Sequence, residues 1–239
     1  TTKSFKFRIK RKATMRKKFK IKRANLFNRP KMKVLELFAG TGSVKKVCDE
    51  LGWECVSVDL SSQFHPVDYE VDILSWDYTT LAKDFDIVWA SPPCATFSRV
   101  KTSHLGRMIK GSIFTEERRQ KEIKEIGLPL LQKAIEIITY FNPKYYFIEN
   151  PQTGDMKKYM KSNHYDVDYC MFSDWGYRKR TRFWTNIEFE DTLCNRKCGN
   201  MLEGAKKHKV CVIEQKDSSL AMKYRIPPRL IKTLFSKTC

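Results

Sequence analysis

An α/β fold, a mostly parallel sheet with helices on both faces, follows from three features of the 239-residue sequence. Short apolar runs alternate with helical stretches from Lys33 onward. The first run closes on a glycine turn that opens a helix. The runs are apolar almost throughout, as strands covered on both faces are.

The elements read in order as follows. KVLELFAG, residues 33–40, is a buried strand ending at its glycine turn, and Ser43 to Leu51 is the following helix. ECVSVDL, residues 54–60, is the next strand, and VDILSWD, residues 71–77, lies near the end of another. DFDIVWASPP supplies a further strand, closed by two prolines that fix the loop after it. A polar segment leads to an amphipathic helix over residues 115–141, broken near Gly127 and Pro129. KYYFIEN is the next strand, and YDVDYCMF and TRFWTNIEF add two more. In such a sheet ligands lie at the carboxyl ends of the strands. No internal repeat is visible.

Composition bounds the rest. A chain with 41% hydrophobic residues can bury one core and carry a small appendage. Its longest apolar stretch, residues 128–141, is interrupted by Gln132, Lys133 and Glu136, so no membrane span is expected. The beginning lacks the apolar run of a secretory signal, which reads as an intracellular protein. Eight cysteines then imply reduced thiols with metal or catalytic uses, not a disulfide scaffold. Of the formal charge of +19, residues 1–33 hold fifteen Lys or Arg and no acid. The basicity therefore belongs to an arm, residues 1–32, that stays solvated until a polyanion orders it, with an edge strand as the alternative. Its functional reading is sequence-independent phosphate contact; a localisation signal or general RNA affinity is the plainer one.

Two constellations carry chemistry. Gly40 and Gly42 let the backbone approach a ligand at the first strand-to-helix turn, and Asp59, at the end of the second strand, can hold the ribose of an adenosine-containing cofactor. Asp72 suits either an adenine amino group or a helix N-cap. The second is Ala90-Ser-Pro-Pro-Cys-Ala-Thr-Phe-Ser98, which sets the Cys94 thiol at the carboxyl edge of the sheet. Thiolate is a competent nucleophile, and positive surroundings raise its fraction.

With these strings in hand the sequence resembles the cytosine C5 DNA methyltransferases. LFAGTGS looks like the first cofactor motif, PPCATFS like the Pro-Cys nucleophile loop, IENP like the Glu-Asn motif and RKRTR like the paired-arginine motif, with Arg178 in place of its leading glutamine. The order matches over residues 33–186, and YCMFSDWGYRKRTRFWTN looks most like the compact phage and giant-virus branch. The resemblance implies a Rossmann-like S-adenosylmethionine-dependent methyltransferase fold with a small Cys/His-rich appendage. It implies DNA as partner, in a nucleus or nucleoid or in a virus-infected host cell, with RNA as the alternative substrate and a catalytically inactive nucleic-acid-binding protein as the alternative of another class.

Chemistry supports the implied roles. Carbon 5 of cytosine is too electron-poor to take a methyl cation until a thiolate adds at carbon 6, which asks for Cys94. Protonation or hydrogen bonding at N3 asks for a carboxyl group at the opposite edge of the base, Glu149, with Asn150 bracing the turn or touching the base. Arg180 and Arg182, at alternate positions, would hold the base carbonyl, a phosphate or Glu149; a solvated basic face is the other reading. Phe38, Gly40, Gly42, Asp59, Asp72 and Pro92 would line the cofactor, and Ser98 would meet the substrate. A base within a duplex must be flipped out, and residues 96–113, rich in Arg and Lys, would close over the strand.

After the methyltransferase domain, residues 33–190, comes a segment over 191–217 where larger relatives carry target recognition. Cys194, Cys198, His208 and Cys211 within it have the composition of a structural zinc site, with reduced surface residues as the alternative. YRIPPRLIKTLF, within 218–239, reads as a terminal helix returning to the catalytic domain. It lacks the family's Gly-Asn-Val string.

Overall fold

The computed structural model describes residues 31–211 and 220–238. The basic arm, apart from its last two residues, lies outside them, as does the end of the Cys/His segment. Within Met32–Thr238, which forms a single compact unit, seven strands make one sheet in the order β3-β2-β1-β4-β7-β9-β8. These are β1 Lys33–Leu37, β2 Glu54–Asp59, β3 Tyr69–Glu70, β4 Ile87–Ala90, β7 Tyr145–Pro151, β8 His164–Asp168 and β9 Arg180–Thr185. The five from β3 to β7 run parallel. The chain winds outward one way from β1 and the other way from β4, so the crevice between their carboxyl ends is the topological switch point. β9 is antiparallel to both β7 and β8, which closes the far edge.

Helices cover both faces, as the unbroken apolar runs require. On one face α1 (Ser43–Leu51) and α5 (Pro228–Phe235) pack Val44, Val47, Leu230 and Leu234 against Val34 and Trp89. Trp53 stacks on Phe235 with ring centroids 5.0 Å apart. On the other face Leu131, Ala134, Ile137 and Phe141 bury against Leu35, Val88 and Ile148. They belong to α3 (Leu128–Phe141). The terminal segment reaches α5 through a short α4 (Leu220–Tyr224) and then Pro227 and Pro228.

The helix over 115–141 is interrupted near Gly127 and Pro129, as the sequence suggests: α2 (Glu116–Glu122), capped by Thr115, leads through a π-helical turn over Ile123–Gly127 into α3. Pro129 has no N–H to give the preceding turn and its ring crowds the carbonyl four residues back, so the ladder widens there. Gly127 has a packing reason: a Cβ on it would lie 2.5 Å from Thr96 Oγ1 and 2.9 Å from Phe97 Cζ. YDVDYCMF is strand only to Asp168, after which Tyr169–Met171 coils into a 3₁₀ turn. The polar segment after Cys94 holds its own hairpin, β5 (Met108–Ile109) and β6 (Ser112–Ile113).

Candidate active site

The turn after β1 folds through three left-handed residues at alternate positions: Phe38 (φ 58°), Gly40 (φ 53°) and Gly42 (φ 62°). Phe38 adopts this without the freedom of glycine and so stores strain at the mouth of the crevice. The Gly40 N–H donates to Asp59 Oδ2 at 2.8 Å, tying the β1 turn to the end of β2. Phe38, Gly40, Asp59 and Pro92 line one cleft, joined by Phe64 and Tyr224, which meet edge to face at 5.9 Å. Gly42 stands back from it, where a Cβ would lie 2.5 Å from the His65 ring. Asp72 is outside the described lining too, its carboxylate accepting the Leu74 N–H in a turn that opens no helix.

Glu36 lies beneath this turn and accepts the Val44 and Lys45 N–H groups of α1 at 3.1 and 2.9 Å. Complete burial raises its pKa to about 7 against the pull of those two bonds.

The cleft continues to the carboxyl ends of β4 and β7, where it is lined by both Cys94 and Glu149. The Asn150 amide donates to the Pro92 carbonyl at 2.8 Å, pinning the Pro-Pro-Cys loop to β7. Glu149 is buried and accepts the Tyr169 hydroxyl at 3.1 Å; Lys179 Nζ stands 3.9 Å from the same oxygen. Burial pushes the Cys94 thiol up, the Lys179 ammonium pulls it back down, and Glu149 pushes it further up. Ser98 lies outside the described lining and caps the turn over Arg99–His104 through the Val100 N–H.

The structure does not bring Arg180 and Arg182 to this cleft. Arg182 sits opposite Asn150 in the ladder and Glu149 opposite Phe183, so the arginine and the carboxylate leave the sheet on opposite faces. Each guanidinium is held by two hydrogen bonds to a β8 carboxylate, Arg180 on Asp168 and Arg182 on Asp166. Alternate spacing rightly puts both arginines on one face, but only the strand order tells which. Sequence reasoning missed Lys179, Tyr169 and Tyr224 for the same reason: Lys179 and Tyr224 line the cleft and Tyr169 bonds its Glu149, from the antiparallel edge or the returning terminus.

The Cys/His cluster is also re-drawn. Cys170, Cys194, Cys198 and His208 bring their donor atoms within 4.8 Å of one another, whereas Cys211 is exposed and not among them. His208 Nε2 lies 3.6 Å from Cys194 Sγ and 3.3 Å from Cys198 Sγ. Tetrahedral zinc with usual bond lengths spaces S and N by about 3.6 Å, which this set fits. Arg196, at φ 64°, turns its N–H onto Cys194 Sγ at 3.3 Å. Asn200 ties the cluster to the β8–β9 connection, donating to the carbonyls of Cys170 and Ser173 and accepting the Gly176 N–H. The missed Cys170 lies 24 residues before Cys194, in the turn closing β8.

Similarity to known proteins accords with this geometry. Residues 32–185 match the family model described as C-5 cytosine-specific DNA methylase. A curated relative, the probable DNA (cytosine-5)-methyltransferase of Frog virus 3 (isolate Goorha), is 45% identical over 220 residues, which are 85% of this chain and 98% of that one. Among solved structures, a SAM dependent methyltransferase from Archaeoglobus fulgidus aligns with a TM-score of 0.29 at 19% identity, over 56% of this chain and 51% of that one. The human methyltransferase 10 domain containing protein aligns at 0.37 with 9% identity, over 71% and 80%. Among the described residues no helix is long and apolar enough to cross a membrane. On the match over residues 32–185 and the viral relative, this chain belongs to the C-5 cytosine-specific DNA methylase family.

Proposed function

We propose that the protein methylates carbon 5 of cytosine in DNA through a covalent adduct to Cys94. Support comes above all from one observation: Cys94 and Glu149 line the same cleft, which runs without a break into the crevice at Phe38, Gly40 and Asp59.

That crevice suits S-adenosylmethionine. Among the described residues the Asp59 carboxylate accepts the Gly40 and Ser61 N–H groups, which leaves lone pairs for two ribose hydroxyls. Phe38, Phe64 and Tyr224 offer aromatic surface for the adenosine. When bound there, the cofactor supplies an electrophilic methyl group. Cys94 Sγ, as thiolate, forms a bond to carbon 6 of a flipped-out cytosine while the Glu149 carboxyl group hydrogen-bonds or protonates N3. Carbon 5 gains enamine character and accepts the methyl. Loss of the carbon 5 proton then expels Cys94 as thiolate. Asn150 keeps the Pro92 carbonyl and hence the loop in register.

Zinc held by Cys170, Cys194, Cys198 and His208 is structural in this reading, since all four positions of a tetrahedral ion are taken by protein. Residues 33–190 are the catalytic domain, 191–217 replace a larger target-recognition region, and 218–239 complete the cleft through Tyr224 and Ile226. The arm over 1–32 supplies phosphate contacts. Likeness to the Frog virus 3 relative supports a virus-encoded enzyme acting on DNA in the host cell.

The test is transfer of labelled methyl groups to DNA and to RNA by the wild type and by Cys94→Ser. DNA labelling that the substitution abolishes is the expected result. RNA-only labelling moves the substrate assignment, and none at all leaves a nucleic-acid-binding protein.

A further inference from the structure

We propose that Lys179 is a positioning residue for the nucleophile, the fixed positive charge that keeps Cys94 reactive in a buried, acid-lined cleft, a role the paired arginines do not take here. The proposal rests on the assignment of Cys94 as nucleophile. Among the described residues lining the cleft Lys179 is the cationic one, and Glu36, Asp59 and Glu149 line it from β1, β2 and β7. Tyr224 from α4 and Tyr169 from the turn after β8 also face this region. A thiol in such company is driven to stay protonated by burial and by the negative charge of Glu149. Arg180 and Arg182 are committed to Asp168 and Asp166.

Lys179 is built into place. Its ammonium donates to the Lys223 carbonyl at 3.0 Å, lies 3.9 Å from Glu149 Oε1 and stands 5.1 Å above the centre of the Tyr169 ring. These contacts come from three separate parts of the fold, so the cation is oriented before any ligand arrives. When the Cys94 proton leaves to solvent, the ammonium shares the cleft with a new anion as well as with Glu149. The Lys223 contact also gives the charge a second duty, because the same short helix carries Tyr224 into the cofactor crevice.

The experiment is alkylation of the full-length protein with iodoacetamide across pH, read at the Cys94 peptide by mass spectrometry, for wild type, Lys179→Met and Lys179→Arg. Loss of the cation is expected to move the Cys94 profile to higher pH. Below the thiol pKa the rate should fall about threefold for each tenfold loss of thiolate, because the more basic sulfur regains roughly threefold in nucleophilicity. Lys179→Arg is expected to restore most of the rate. Cys94 profiles that coincide in wild type and Lys179→Met overturn the proposal, and so does a Lys179→Met variant whose only change is a lower melting temperature. The readout needs no methyl transfer, so inactivity on DNA sinks the proposed function while leaving this result to stand or fall by itself.

Discussion

The two ends of the sheet are held together by different physics. From β3 to β7 the strands are parallel, covered on both faces, and packed by side chains such as Leu35, Val88, Ile137 and Leu234 that are 2% exposed or less. At the other end β9 and β8 are joined by Arg180–Asp168 and Arg182–Asp166 pairs, and the Cys/His cluster hangs from the same edge. Asp168 links the two devices, accepting the Cys194 N–H at 2.8 Å as well as Arg180. The first end draws its stability from apolar area; the second buries Val167, Phe183 and Trp184 as well but adds a few polar partners, each of which matters individually.

The contrast can be broken most forcefully in the parallel half. Leu35→Ala empties a fully buried position and is expected to cost about 4 kcal/mol in denaturant unfolding, within the usual range for such truncations. A loss under about 1 kcal/mol would mean that this half is not packed as described. Next comes the cluster. Cys170→Ser is expected to purify without stoichiometric zinc and to lose about 3 kcal/mol, and Cys211→Ser to keep its metal and lie within about 0.5 kcal/mol of wild type. Elemental analysis and thermal melting decide it, and the reverse pattern would restore Cys211 to the ligand set.

A smaller effect is expected at the charged edge. Arg182→Met strands Asp166, whose side chain is 12% exposed, and should destabilise by about 2 kcal/mol, with Asp166→Asn recovering part of that in the double variant. Single and double losses that add without coupling would show the pair to be ornamental.

The gentlest probe is pH. The folded protein holds a proton on Glu36 that the unfolded chain gives up near 4.5, its folded pKa being about 7. This group's favourable contribution is therefore complete below pH 4.5 and is lost as pH rises through 7, at up to roughly 1 kcal/mol per pH unit between. Urea midpoints for wild type and Glu36→Gln should diverge in slope over that window. Parallel slopes would place the raised value elsewhere.

What the sequence disclosed divides along the same line. Periodicity found the parallel strands and the glycine turn because the apolar runs there are continuous and local. The Pro-Pro-Cys loop and Glu149 were each legible as strand-end residues, and the parallel order alone puts the ends of β4 and β7 side by side. The fate of RKRTR was not legible. Whether Lys179 or the arginines face the cleft depends on β9 running antiparallel beside β7, and on two aspartates of β8 that no local pattern pairs with Arg180 and Arg182. Cys170 was hidden likewise, because it reads as part of a strand until the turn at Tyr169–Met171 swings it towards His208.

The absence of a side chain at Gly127 reaches beyond helix geometry. With the π-helical turn seated directly on Thr96 and Phe97, and with the Phe97 carbonyl receiving the Asp155 N–H at 2.8 Å, the heel of the nucleophile loop is clamped to the scaffold. The stretch beyond Ser98 is tied instead to α2, whose Arg118 donates to the Ile109 carbonyl and the Ser112 hydroxyl of the β5–β6 hairpin. The loop that carries the sulfur and the hairpin beyond it therefore hang from different side chains, so Arg118→Ala can loosen the second without removing the contacts that seat the first.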